Sequence, residues 1–499
     1  MSTGAWSRRC WLSAILLGVA LNASAQLRER PKLTAEIEAL RNAAPGAPPE
    51  LAADILLKLV ERGLVPSTPD RLELIEQAFQ FATAAKYPFA QIAAVDKARN
   101  TDSAPGLRAG ALEHGFSAIG LRCRAVRAAL PLDKAKAVQL FEQITLGPFP
   151  ALTCRDALVP SLNEYYATLR EVALNGFTLE QRRKGRHLQL VETAVRSAVI
   201  PGQLEPLAKL VAEYPGFIPA FAASLKLMDA DPRSFGAATL GLGQVVVNLS
   251  EHLHSDGGST IPLADAFRSF MTKHLQGVVC EETLDPKRRI TMEANVNKSV
   301  STAAEGKEIA PFLTNELKPR SVDGPAVVVA AWQTGRSREI MAQYKALRFG
   351  TKEQQDEYNK RDRRKDGMTH FLPEDLRQTP AWEAKAWDFL NELDRWNKNH
   401  TEPEGDFFHQ LSLQYGGLMD IVPPGPLLNT VFQAYISFLK SSALERESPP
   451  EWLLHVQRLF VVTDASKAHQ AWIREQIRKN GSLTMSLYAE LARLDPRGQ

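Results

Sequence analysis

Apolar residues recur at three- and four-residue spacing along most of the chain, and Gly or Pro separates one run from the next. The stretch from Pro48 to Phe89 sets the pattern. Pro48-Pro49 opens a run in which Leu51, Ile55, Leu56, Leu59 and Val60 share one helical stripe, and Gly63 supplies a left-handed C-terminal stop. Thr68-Pro69-Asp70 reads as a fresh start, with Thr as cap and Asp at the positive helix end. Leu72, Ile75, Phe79 and Ala82 then mark the buried face of a second helix. Two antiparallel helices follow from this, and neither buries its stripe without a further neighbour.

Similar units continue. Asp133 to Ile144 is an amphipathic helix ended by Leu146-Gly-Pro-Phe-Pro150, and Thr178 with Gln181 forms a capping-box signature. Phe235 to Leu249 is rich in Gly and Val and fits helix or strand, while His252 to Thr260 reads as a polar loop. Residues 285–325 are polar and weakly periodic, which predicts a long irregular connection. Ala326 to Ala331 is a short apolar run of either type. Beyond it lie six of the eight tryptophans: Trp332, Trp382, Trp387, Trp396, Trp452 and Trp472. Trp382, Ala386, Phe389, Leu393 and Trp396 form one continuous helical stripe, which predicts core positions. Further helices are expected to bury Phe432, Tyr435, Ile436 and Leu439, then Trp452, Val456 and Phe460 after a Ser448–Glu451 capping box. The last helix would bury Leu483, Leu487 and Leu491.

The fold class expected is all-α: antiparallel helical hairpins packed as an irregular α-solenoid or as two helical lobes. The divisions are a signal peptide at 1–25, a helical-hairpin region at 26–284, the connection at 285–325 and a tryptophan-rich helical region at 326–499. The signal peptide rests on Arg8-Arg9, the apolar run Leu12 to Leu21 and the small-residue site Ala23-Ser24-Ala25. Ser7 to Leu12 is similar to a twin-arginine export signal, and the ordinary secretory route fits the same residues. The apolar run is too short for an anchor, so no stable membrane span is expected after cleavage, and the location expected is periplasmic or secreted.

Charge changes little. With 60 basic and 57 acidic side chains, and basic clusters that are short and lack interleaved aromatics, nothing points to nucleic acid. Three of the four cysteines follow the leader, and in an oxidising compartment Cys123 and Cys154 are the expected disulfide, with Cys280 left over. No nucleophile elbow, zinc helix motif or phosphate loop occurs, so no catalytic residue, metal or cofactor is implied. The weak chemical candidates are His252 with His254, which an extended backbone would place on one side as metal ligands, and Asp406 with His409, a carboxylate–His pair ahead of an apolar helix.

The hairpins, Asp133 to Ile144 above all, resemble tetratricopeptide-like or HEAT-like αα repeats, although no fixed period recurs. The chain also looks like secreted helical proteins of Gram-negative bacteria that have no assigned activity. That resemblance implies export and helices. The function expected is therefore a non-enzymatic exported scaffold presenting a surface to a protein or peptide partner. The alternative is an exported carbohydrate-active enzyme on an (α/α) toroid, with its site in the C-terminal half.

Overall fold

In the computed structural model the residues described are 33–85, 90–93, 104–150, 156–159, 162–228, 236–277, 286–312, 335–361, 371–400, 404–460 and 467–494. Helix α1 (Ala35–Ala43) starts at Thr34, whose hydroxyl accepts from the Ile37 amide. Helix α2 (Pro49–Glu61) ends as its glycine requires. Gly63 has φ 69°, and the Leu64 amide reaches back to the Leu59 carbonyl at 3.1 Å, closing a Schellman motif. Helix α3 (Thr68–Ala84) begins one residue earlier than its sequence signal: Ser67, not Thr68, accepts from the Asp70 amide.

Then follow β1 (Ala90–Ala93), α4 (Ala104–Ala111), α5 (Ala118–Ala129), α6 (Lys134–Glu142) and β2 (Asp156–Val159). The two short strands pair antiparallel, Ala90 opposite Val159. Helices α7 (Asn163–Asn175), α8 (Leu179–Arg183), α9 (Arg186–Arg196), α10 (Leu204–Ala212) and α11 (Ile218–Leu227) come next. The Thr178–Gln181 box is present with both reciprocal hydrogen bonds.

Helices α12 (Gly236–Ser255), α13 (Ile261–Gly277) and α14 (Pro286–Ala303) correct two expectations. The Gly/Val-rich stretch is helical, and its helix runs on through His252 and His254, where a loop was expected. The first part of the expected irregular connection is also a helix. Its polar sequence hides a narrow stripe of Val296, Val300 and Ala303, which suffices to dock it on α12 and α13. The short run at 326–331 and Trp332 lie outside the described residues.

The C-terminal helices are α15 (Gly335–Phe349), α16 (Lys352–Arg361), α17 (Glu374–Arg377), α18 (Pro380–Asn399), α19 (Glu404–Ile421), α20 (Pro426–Ser441), α21 (Leu444–Glu447), α22 (Pro449–Arg458), α23 (Lys467–Asn480) and α24 (Leu483–Arg493). The whole α18 stripe from Trp382 to Trp396 is buried, and so are the expected residues of α20. Ser448 makes no side-chain cap at α22, and the Glu451 carboxylate, which a capping box would turn back to Ser448, is held by Arg108 instead. On α24, Leu487 and Leu491 are buried as expected, but Leu483 in the first turn is 49% exposed.

The packing is a ladder of helices two apart in sequence. Helices α3, α5, α7, α9, α11 and α13 form one row, each touching the next, while α10, α12 and α14 stack beside it. Such i-to-i+2 stacking is how helical hairpins bury stripes that one hairpin leaves open. In the C-terminal part α15, α18, α19, α20, α23 and α24 follow one another in contact. The two ends of the chain then meet: α1 and α2 pack on α24, α2 and α4 on α22, and α4 on α19. One apolar core runs through these helices, α4 apart.

This meeting explains α2. Its neighbours are α3, α5, α22 and α24, so Ala52, Ala53 and Leu57 are as buried as the stripe Leu51, Ile55, Leu56 and Leu59. A helix apolar nearly all round is one covered nearly all round.

Candidate functional site

Where the ends meet, the sequence places one charge inside an apolar run: Asp54, between Ala53 and Ile55. Its side chain is fully buried, and three elements supply partners. Lys58, one turn on, lies 2.7 Å away, Arg124 of α5 lies 2.8 Å away, and the Tyr488 hydroxyl of α24 donates at 2.7 Å. Arg124 also grips Glu61 at 2.9 Å, and the Lys58 ammonium sits over the rings of Phe116 and Tyr488. Burial pushes the Asp54 pKa up, but the Lys58 and Arg124 charges and the two side-chain hydrogen bonds outweigh it, holding the carboxyl below its ordinary value of 3.8. Burial and the neighbouring Asp54 push the Tyr488 phenol well above its ordinary range. The cluster bolts the first hairpin to the last helix.

Beside that bolt an open groove of about 750 Å³ runs between α1 on one wall and α23 and α24 on the other. Its floor is Ala35, Ala39, Leu40, Ala43, Ala471, Leu487 and Ala489. The rim is charged in both signs, with Glu36 on the α1 wall and Arg474, Glu475, Arg478, Glu490 and Arg493 on the wall of α23 and α24. Arg493 joins the walls by bridging Glu36 at 2.6 Å and also holding Glu490. Arg478 holds Glu475 at 2.8 Å. The small floor residues let another backbone approach closely. From Ala35 to Ala43, at 1.5 Å per residue, the groove gives about 12 Å of length, or two helical turns.

A second polar group lies inside the seam between α19, α22 and α4. His409 and His455 are 0% and 2% exposed with ring centroids 5.5 Å apart, and Glu451 is held by Arg108 at 3.2 Å. Burial, then His409 and Arg458, drive the His455 pKa well below its usual 6.5, so the ring is neutral near pH 7. The Tyr435 hydroxyl lies 2.7 Å from that of Ser412 and donates to the His455 carbonyl.

The candidates from the sequence fall elsewhere. His252 and His254 are exposed, and on helix α12 residues two apart point about 200° apart, so they cannot share a ligand. His254 pairs instead with Glu305 at 2.8 Å. Among the described residues no group of three or more His, Cys, Asp or Glu side chains is placed to hold a metal ion. His409, expected to pair with Asp406, is buried on α19, and the Asp406 side chain lies outside the described residues. Cys123 is a buried free thiol on α5, with its pKa pushed up to about 12 by burial. Cys154 and Cys280 lie outside the described residues. The buried carboxylates Asp54, Glu392 and Glu451 are each held by cations, Glu392 by Arg336 and by Arg395 at 3.0 Å.

Asp54 and His455 went unnoticed in the sequence, and Glu451 was read only as part of a capping box. The usable signal was a lone acid inside an apolar run with Lys four residues on, because such an acid is buried only when partnered. The groove had no signal, since it joins residues more than 400 positions apart. No known protein-family model matches the chain, and no curated protein matches it.

Proposed function

We propose that this is an exported, non-enzymatic helical scaffold whose groove between α1, α23 and α24 receives an amphipathic helix from a protein partner. The observation that carries the reading is the groove itself: an alanine-rich floor two turns long, between walls bearing both charges. A helix with apolar anchors at i, i+3, i+4 and i+7 and mixed charges on its flanks complements that surface in shape and charge. Export rests on the leader-like residues 1–25, and no helix among the described residues is long and apolar enough to cross a membrane. The buried carboxylates Asp54, Glu392 and Glu451 are tied to cations on three separate parts of the fold, which supports the scaffold over a carbohydrate-active toroid.

The test is a display selection of amphipathic helical peptides against the full chain, followed by Ala39→Trp and Ala471→Trp. Both alanines are exposed within the groove, Ala39 on α1 and Ala471 on α23, so either indole fills it with no change to the core. Binding of the enriched peptides is expected to weaken by roughly 2 kcal/mol, the size of one interface hot spot. Absence of enrichment, or enriched peptides indifferent to both substitutions, would overturn the proposal.

A further inference from the structure

The seam that joins the two ends of the chain contains an unusual pair. His455 on α22 and His409 on α19 are both buried, 5.5 Å apart, in the seam that also holds the Arg108–Glu451 pair. The Phe408 ring stands edge-on to His455 at 5.3 Å, and the Nε2 atom of His455 meets no hydrogen-bond acceptor among the described residues. We propose that His455 is an acid-operated release: its protonation frees α22 from α19 and α4, and loosens the seam that holds the chain's ends together.

The argument is one of charge without relief. A proton added to His455 creates an imidazolium whose Nε2–H has nothing to donate to, beside a second imidazole and Arg458. The groups on each packed neighbour offer little compensation. From α4 comes Arg108, a further cation, and it already occupies Glu451, the carboxylate one turn back on α22. On α19, besides His409, stands Asp420, whose pKa burial raises against the pull of Arg458 and Arg348. Helix α20 contributes the neutral Tyr435 hydroxyl, which donates to the His455 carbonyl. The buried acids of α2 are Glu50 and Asp54, the latter held by Lys58 and Arg124. On α21, Glu445 accepts from Ser482, while Arg446 and Glu447 are exposed. The closed seam therefore excludes protons that the opened one accepts, and opening takes up protons as pH falls below the usual histidine value of 6.5.

Amide hydrogen exchange of the full chain from pH 7.5 to 5, corrected for the intrinsic pH dependence, reads the release. Residues 449–458 and 104–111 are expected to open about tenfold more per pH unit below 6.5, as one proton is taken up on opening. Exchange in the α7–α9 row should stay level. His455→Phe should flatten the dependence while leaving exchange at pH 7.5 within a few-fold of the parent. Exchange of the imidazole C2 hydrogens in the unmodified protein gives a second readout independent of any variant. The His455 peptide should titrate below the same peptide in the denatured chain. Opening indifferent to pH, a slope undiminished by His455→Phe, or the His455 ring titrating as in the denatured chain would overturn the proposal.

Discussion

Asp54→Ala is expected to destabilise the protein by about 3–5 kcal/mol, the loss seen when one partner of a buried ion pair is removed and the others stay. Lys58 and Arg124 would keep their charges in a site shut off from water, with only Glu61 left to share. Tyr488 would lose its acceptor. Urea unfolding of the two proteins at pH 7 measures the difference. Tyr488→Phe should cost less, about 1 kcal/mol, because a single net hydrogen bond is removed. The pH dependence follows from the direction of the shift. A carboxyl whose folded pKa lies below its unfolded value stabilises the fold above the unfolded value and loses that contribution as pH falls through the folded one. Asp54→Asn should therefore show a shallower loss of stability below about pH 4 than the parent. A cost under 1 kcal/mol for Asp54→Ala would mean that the chain's ends do not depend on this cluster.

The second large effect belongs to the tryptophans. Trp452 is fully buried on α22 and its indole N–H donates to the Leu439 carbonyl at 3.0 Å; Trp382 on α18 donates likewise to Leu347. Truncation of either to Ala should cost about 3–5 kcal/mol, as for large aromatics elsewhere. Trp452→Phe keeps much of the volume and should cost less, chiefly through the orphaned carbonyl. Calorimetric or denaturant unfolding decides. Melting unchanged in Trp382→Ala together with lost sugar binding would mark an exposed platform and contradict the core assignment.

Local patterns carried most of the secondary structure. The stripes of α2, α18 and α20, the Gly63 stop and the Thr178 box were all legible, because a helix end or face is written in residues three or four apart. Helix α14 was not legible, since only Val296, Val300 and Ala303 in a polar segment carry its contact. The His252–His254 reading failed for one reason: ligand geometry depends on backbone type, and a helix separates residues that a strand would align. The site was nearly invisible. Its groove, the Asp54 bolt and the His409–His455 pair all arise where residues near the start of the chain meet residues near its end. Periodicity reports on a neighbour's existence but not on its identity. The one hint was α2 itself, too apolar for a helix covered on a single side.

The groove as the seat of a partner helix is tested most directly by the exchange footprint of the full chain with and without a selected amphipathic helix. The expected result is protection confined to residues 35–43, 471–478 and 486–493, lost on Ala39→Trp. Protection on α18 or on the α9–α13 row instead, or saturable binding with no protection at the groove, would contradict it.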